Sequence, residues 1–204
     1  MSESSHGLVL TSPEGTRYLF DPGALCLEFL TTGGPGALSR YEVLHTPADL
    51  ADWLGRCRLG LDPADVRTAP EDVAAGRRLR DALWGLARAA ADGGPLAAGD
   101  LTELHRAAAR PPLVPYVTAG RTRGWDASAE ARQALSTIAR DAVELLTGRF
   151  AGRIRVCGAD DCFLVFVDTS RPGRRRWCAM ERCGNRHKVR ALRARRDTEE
   201  NTAP

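Results

Sequence analysis

Four cysteines in the C-terminal part of the chain have the types and the spacing of a metal site. Cys157 and Cys162 enclose four residues, Cys178 and Cys183 also enclose four, and fifteen residues separate the two pairs. Zn²⁺ binds sulfur readily, and a structural site needs four ligands in a tetrahedron, which two short cysteine pairs supply. His187 is a competing ligand, but the pairs complete the site without it. The spacing therefore predicts a structural zinc ion held by the four cysteines.

Ordinary buried thiols or disulfides are the alternative interpretation of these cysteines. The first residues lack a basic segment followed by an apolar core, and no apolar run approaches the ~20 residues of a membrane helix, so we expect a cytoplasmic protein without a membrane partner. Thiols stay reduced there, which favours metal binding over disulfides. Cys26 and Cys57 lie far from the pairs in apolar segments, and we expect both to be buried structural thiols.

Positive charge is concentrated around the same cysteines. Residues 153–196 contain 13 basic and 4 acidic residues, a net charge of +9, whereas residues 1–152 contain 16 basic and 19 acidic residues. This asymmetry indicates an anionic partner for the C-terminal part alone.

A helix is predicted from Arg186 to Arg196, and its basic residues favour contact with nucleic acid. At ~100° per residue, Arg186, Arg190 and Arg193 fall in one narrow sector, as a helix lying on a phosphate backbone requires. Val189 and Leu192 fall on an adjacent flank and are expected to pack against the zinc module. A solvated or protein-binding face is the alternative. The predicted nucleic-acid contacts are Arg174, Arg175, Arg176, Arg186, Lys188, Arg190 and Arg193.

The elements that must position the cysteines form a small module. Phe163–Val167 is predicted to be a strand whose aromatic side chains cover the metal, Ser170–Gly173 a turn, and Arg174–Trp177 a return strand. Asn185 is a plausible cap for the final helix. About forty residues rarely bury enough apolar surface alone, so zinc is expected to supply much of the folding free energy of this β-hairpin and helix.

The remaining chain is predicted to be mainly helical with a few strands, so the fold class is α+β. Thr46 caps one helix, with Pro47 in its first position and Asp49 near its positive end. Ser128 is expected to cap a long helix that ends at Gly148. The other predicted elements are short strands near 7–10 and 18–20, helices near 24–30, 70–92 and 98–109, and a hairpin over 113–126. We expect a domain at 1–150, a zinc module at 151–197 and a polar tail at 198–204.

No group of residues has a recognisable catalytic spacing. Glu28, His45, Asp81 and His105 are candidate polar groups, yet each is explained more simply as a surface or capping residue. The Gly-rich loop at 31–39 does not have the spacing of a phosphate-binding loop. We therefore expect that the protein is not an enzyme. An enclosed pocket with convergent polar groups would instead favour a catalytic or ligand-sensing site.

The C-terminal segment resembles the CGNR zinc finger family. The matching residues are the tetrapeptide Cys183-Gly184-Asn185-Arg186, the preceding Arg176-Trp177-Cys178, and Phe166-Val167-Asp168. The resemblance implies that the four cysteines bind zinc and that the final helix contacts DNA.

Residues 18–150 resemble the ABATE domain that usually precedes this zinc finger. The matching pieces are the LCLEFL stretch at 25–30, the Thr46-Pro47-Ala48-Asp49-Leu50 helix start with Trp53-Leu54, and the Arg80-Asp81-Ala82-Leu83 segment. Glu28 and Thr31 stand where the family tends to have Asp and Asn. The resemblance implies a stress-induced transcription regulator whose N-terminal domain senses a small-molecule effector or mediates homodimerisation.

Two functional hypotheses follow. The first is a zinc-dependent transcriptional regulator that binds double-stranded DNA, with a second copy or a partner adding to the limited specificity of one short helix. The second is a zinc-stabilised module that binds RNA or protein without reading DNA sequence. Aromatic side chains for stacking on bases are scarce in the basic segment, which weakens the RNA version.

Overall fold

The computed structural model describes residues 7–126 and 129–200, and within them it shows six α-helices and six short strands. None of the helices in these ranges combines the length and apolar character that a membrane span requires. The helices are α1 (Leu25–Phe29), α2 (Pro47–Arg56), α3 (Pro70–Asp92), α4 (Ala98–Ala108), α5 (Ala131–Thr147) and α6 (Asn185–Glu200). The strands are β1 (Leu8–Thr11), β2 (Arg17–Phe20), β3 (Pro115–Val117), β4 (Arg123–Trp125), β5 (Ile154–Val156) and β6 (Val165–Val167).

Each strand pairs with one neighbour in an antiparallel two-stranded sheet. The sheets are β1–β2, β3–β4 and β5–β6. The predicted α+β class is therefore confirmed.

Helix α3 is the centre of the helical body, and α1, α2, α4 and α5 pack against it. Pro70 occupies its first turn, the Asp72 carboxylate accepts the Ala69 N–H at 3.0 Å, and Gly93 ends it with φ of 68°. A proline at the start, an acidic capping residue and a left-handed glycine at the end are the signals that bound a helix. These local signals fix its length, and the resulting long helix contacts four other helices.

Helix α2 begins as the sequence predicts. The Thr46 side chain accepts the Asp49 N–H at 3.3 Å, and the Asp49 carboxylate accepts the Thr46 N–H at 2.7 Å. This reciprocal pair satisfies two N–H groups at the helix start. The predicted cap for the later helix, Ser128, lies outside the described residues. Helix α5 starts at Ala131, with Glu130 in the N-cap position.

The main apolar core continues across the expected boundary at residue 150. It includes Phe29, Leu50 and Ile138 of the helical body. It also includes Ile154 of β5 and Val167 of β6, which are almost completely buried. The hairpin of the zinc module is thus part of the same core as the helices.

The hairpin of the zinc module uses different strands from those predicted. Strand β6 pairs with β5, which precedes the first cysteine pair, and Arg174–Trp177 forms no strand. The Cys157–Cys162 segment acts as the hairpin connection, since the Cys157 N–H donates to Leu164 O at 2.9 Å. The expected return segment contributes a backbone–backbone bond outside any sheet, from the Gly158 N–H to Arg176 O at 2.9 Å.

Candidate metal centre

Three elements bring the four cysteines together. Cys157 follows β5, Cys162 precedes β6, Cys178 precedes a π-helical turn at Met180–Gly184, and Cys183 lies within that turn. Their sulfur atoms all lie within 4.8 Å of one another, and all four residues are buried. None of these cysteines is in a disulfide.

The sulfur separations fit a tetrahedral zinc ion. The Sγ atoms of Cys162 and Cys178 are 3.7 Å apart, and those of Cys178 and Cys183 are 3.5 Å apart. Zn–S bonds of about 2.3 Å in a tetrahedron place sulfur atoms about 3.8 Å apart. A disulfide needs about 2.05 Å. The chain therefore has the four-cysteine set of a zinc finger, and zinc is its cofactor.

The thiols also have the electrostatic character of a cation site. Bonds with the thiols of Cys162 and Cys178 lower the pKa of Cys157 to about 2, and the bond with Cys157 raises the pKa of Cys178. The thiol of Cys157 therefore gives up its proton more readily than the thiols of Cys162 and Cys178, whose pKa values are raised. Metal ligation requires thiolates, so a divalent cation here displaces those protons and takes up the negative charge.

Hydrogen-bond donors around the sulfurs reduce the negative charge of a zinc–tetrathiolate centre, which is formally −2. Arg182 Nη1 donates to Cys162 Sγ at 3.8 Å, and Arg186 Nη2 donates to Cys183 Sγ at 3.8 Å. Such donors orient ligands and tune a metal site. The sequence interpretation assigned no role to Arg182, although its position directly before Cys183 was a usable signal.

Aromatic residues from two parts of the chain cover the sulfur cluster. Phe166 of β6 packs on the cysteines, as expected, while Phe163 packs against the main core. Tyr18 and Phe20 of β2 complete the cover, and the Tyr18 hydroxyl accepts a hydrogen bond from Arg182 Nη1 at 3.2 Å. Burial raises the pKa of Tyr18 to about 12, so its hydroxyl stays protonated. A strand from the start of the chain therefore forms part of the metal centre.

Arg175 is folded into the metal centre. Its guanidinium lies 4.2 Å from the centroid of the Phe166 ring and donates to Trp177 O at 3.0 Å and to Cys178 O. Its backbone N–H donates to the Asp168 carboxylate at 2.9 Å. Burial lowers the pKa of Arg175. Its contacts hold the second cysteine pair in place.

The other predicted nucleic-acid contacts divide into one partly buried, ion-paired residue and an exposed group. Arg186 forms ion pairs with Asp161 at 2.5 Å and with Glu14 at 3.7 Å. Most of the set is exposed to solvent, namely Arg174, Arg176, Lys188, Arg190 and Arg193. The sequence alone did not separate these two groups, because both lie on the same basic segment.

The orientation of α6 differs from the predicted one. Val189 and Leu192 are 48% and 55% exposed, so they do not pack against the zinc module as expected. The arginine side of the helix faces the module, since Arg186 and Arg190 approach Asp161. The helix begins at Asn185 directly after the π-helical turn, so Asn185 is its first residue and not its cap.

His187 lies against an aromatic ring. Its ring centroid is 4.7 Å from that of Trp177, and it does not belong to the group of residues that could hold the metal.

Glu28, one of the candidate polar groups, forms a buried ion pair with Arg58, whose Nε donates to it at 2.8 Å. Both predictions for the thiols outside the cluster are confirmed, because Cys26 and Cys57 are free and buried.

Two family models match the chain in this order. Residues 23–149, more than half of the chain, match the ABATE model, which is described as "Putative stress-induced transcription regulator". Residues 153–196 match the CGNR zinc finger model, and all four cysteines lie in that segment. No curated protein matches the chain. Strands β1 and β2 precede both matched segments, although Tyr18 and Phe20 line the metal centre.

Proposed function

Because the chain belongs to the ABATE family and carries a CGNR zinc finger, we propose that it is a zinc-dependent transcription regulator that binds double-stranded DNA. The observation that carries the proposal is the exposed, arginine-rich α6 held directly against a four-cysteine zinc site. The zinc is proposed to be structural and not catalytic, since four sulfurs leave no coordination position for water or substrate. The cytoplasm, where thiols stay reduced, is the proposed location.

The distribution of charge supports duplex DNA as the partner. The zinc finger segment 153–196 carries +9, whereas residues 1–152 have a small acidic excess, so only one part of the molecule attracts phosphates. Lys188, Arg190 and Arg193 are exposed on α6. A helix of this length spans about 24 Å, and its diameter of about 10–12 Å fits the width of a major groove.

The helical body is proposed to regulate this contact. It belongs to a regulator family, and its core is continuous with the zinc module. A small-molecule effector bound by the body or a homodimer formed through it would alter how α6 is presented. Dimerisation would also double the number of base pairs that a single short helix reads.

One observation favours a protein partner as the second candidate. Val189 and Leu192 expose apolar surface in the middle of α6, next to basic side chains. Such a surface suits a partner protein with an acidic groove, because apolar contact and charge pairing are both available. The experiment below separates the two candidates.

Salt-dependent DNA binding tests the proposal. Zinc-loaded full-length protein is expected to bind random duplex DNA with an affinity that falls steeply with salt. Replacing Arg190 and Arg193 by Ala is expected to reduce the slope of log K against log salt by about two, because each lost phosphate contact releases about one counterion fewer. Fluorescence anisotropy of labelled duplexes measures both quantities.

The double variant Arg88→Ala/Arg110→Ala is the matched control, since both arginines are exposed on the helical body. It loses the same charge and is expected to keep the salt slope. DNA affinity that is insensitive to salt, or that falls equally in both double variants, would contradict the proposal. Binding to a partner protein through Val189 and Leu192 without any DNA affinity would favour the second candidate.

A further inference from the structure

A cavity lies where the helical body, the β1–β2 hairpin and the zinc finger meet. Its volume is about 150 Å³. The body contributes Leu30, Tyr41 and Trp84, β2 contributes Tyr18, and the zinc finger contributes Phe163 and Arg182. A ligand in this cavity would contact all three parts at once. We refer to it as the junction cavity.

The size and the walls of the junction cavity suit one aromatic ring. A cavity of about 150 Å³ lined by apolar side chains accommodates benzene. Four aromatic side chains line it, from Tyr18, Tyr41, Trp84 and Phe163, and such walls favour offset or edge contacts with a second ring. The Trp84 Nε1–H already donates to Gly33 O at 2.9 Å, so the indole offers its ring and not its N–H.

Arg182 supplies a hydrogen-bond donor that lacks an acceptor. Its Nε is buried and has no partner within residues 7–126 and 129–200, while Nη1 donates to Tyr18 Oη and Cys162 Sγ. A buried donor without an acceptor is costly, and native structures almost always satisfy such groups. A small turn of the guanidinium towards the cavity would bring this donor within reach of an oxygen atom on a ligand.

Resting on the proposed function, we propose that the junction cavity is the effector site and that it binds a monocyclic aromatic molecule carrying an oxygen acceptor. The ring lies among the four aromatic side chains, and the oxygen accepts a hydrogen bond from Arg182. This assigns a place and a chemical class to ligand sensing, with one arginine as the polar anchor.

The position of Arg182 connects the cavity to α6. Arg182 lies in the π-helical turn at Met180–Gly184, which contains Cys183 and continues directly into α6 at Asn185. A ligand oxygen bonded to Nε draws the guanidinium towards the cavity and away from Tyr18 and Cys162, which accept from Nη1. Movement of Arg182 towards the ligand therefore shifts the turn that sets the direction of α6, and with it the contact with DNA.

Binding of benzoate and of toluene to the zinc-loaded full-length protein tests the proposal. Benzoate carries a ring and an oxygen acceptor, whereas toluene carries the ring alone. Titration calorimetry is expected to show saturable one-to-one binding of benzoate, at least tenfold tighter than toluene. Absence of saturable benzoate binding, or equal affinity for the two probes, would overturn the proposal.

Two variants locate the site. Leu38→Trp places a larger side chain in the cavity wall and is expected to weaken benzoate binding at least tenfold, whereas Val114→Trp, at an exposed position, leaves it unchanged. Arg182→Met is expected to abolish the preference for benzoate over toluene while toluene still binds. Benzoate affinity that survives both Leu38→Trp and Arg182→Met would place the ligand elsewhere and refute the assignment.

The DNA measurement separates this inference from the proposed function. Benzoate is expected to change the DNA affinity of the wild-type protein at least threefold and that of Leu38→Trp not at all. Benzoate binding without any DNA affinity would leave the cavity assigned and refute the proposed function. DNA binding that benzoate does not alter would refute the link between the cavity and α6.

Discussion

At the scale of single residues, Arg80 shows how a buried charge organises the helical body. The residue is 2% exposed, and its Nη1 donates to Thr32 O at 3.2 Å and to the Glu42 carboxylate at 2.9 Å. Its other nitrogens donate to Asp81. The Glu42 carboxylate also accepts the Leu44 N–H at 2.9 Å. These bonds connect α3 to the loop after α1, because a buried guanidinium requires acceptors on every side.

Replacing Glu42 by Gln tests this network and its dependence on pH. Burial acts to raise the pKa of Glu42, but the bonds from Arg80 and from the Leu44 N–H prevail and lower it. The carboxylate therefore stabilises the fold above its unfolded pKa of about 4.3, and this stabilisation is lost as pH falls through the lower folded pKa. At pH 7 we expect Glu42→Gln to lower the free energy of unfolding by about 1–3 kcal/mol.

Urea unfolding of both proteins at pH 7 and at lower pH measures the effect. The difference between wild type and Glu42→Gln is expected to shrink as pH falls below about 4. Glu144→Gln, at an exposed position of α5, is the matched control and is expected to change stability little. A difference that stays constant with pH would mean that the charge of Glu42 does not contribute.

At the scale of elements, α6 depends on the zinc site for its structure. Its described side chains are mostly exposed, and its contacts with the rest of the chain include the ion pairs of Arg186 and Arg190 and the stacking of His187 on Trp177. Most of the stability of a helix in a protein comes from tertiary packing, so a helix with few packing contacts is marginal in water. The cysteines hold the turn that starts α6, so the metal stabilises the helix.

Removal of zinc is therefore expected to melt α6. Treatment with a chelator should reduce the far-UV circular dichroism by an amount that corresponds to about one short helix, and added zinc should restore it. Cys178→Ser should lose the metal and show the same reduced signal. Cys57→Ser, which changes a buried thiol outside the cluster, should retain zinc. Unchanged helix content after chelation would show that α6 forms independently.

Local elements could be predicted from the sequence better than their partners. Thr46 and Asp49 lie three residues apart, and a spacing of that kind determines a cap without reference to the rest of the chain. The cysteine pairs were equally informative, because four sulfurs converge in order to bind one metal ion. The pairing of β5 with β6 was missed, since the sequence of a short apolar segment does not determine which strand it pairs with.

The direction of the α6 side chains could not be read from the sequence either. A helical wheel gives the angles between Arg186, Val189 and Leu192, but it does not say which side faces the body. Acidic residues decide this, since Asp161 and Glu14 draw Arg186 inward. Glu14 lies more than 170 residues earlier in the chain, and no local pattern connects the two.

At the scale of the whole molecule, the zinc finger and the helical body form one folded structure, although each of them matches a different family model. Ile154, Val165 and Val167 of the β5–β6 hairpin belong to the main core, and Tyr18 and Phe20 of β2 belong to the cover of the sulfur cluster. Each part thus buries apolar surface of the other. Loss of either part exposes core residues of the one that remains.

A truncated variant that ends at residue 150 tests whether each part depends on the other to bury its apolar surface. It lacks β5 and β6, so apolar side chains of α3 and α5 become exposed, and we expect low soluble yield and strong binding of a hydrophobic dye. A chain cut after residue 184 retains both strands and all four cysteines, and we expect it to stay soluble and to bind zinc. A soluble, monomeric 1–150 fragment with native helix content would contradict the expectation.

The bond between Arg182 and Tyr18 has a consequence for biosynthesis, because 164 positions of sequence separate the two residues. At ~5–20 residues per second, a ribosome needs ~10–30 s to travel from one to the other. Throughout that interval the aromatic side chains of β2 have no cluster to cover, and they are a natural target for a chaperone. Zinc binding then completes the fold once the last cysteine has been synthesised. The supply of metal therefore acts at a late step in the production of the protein.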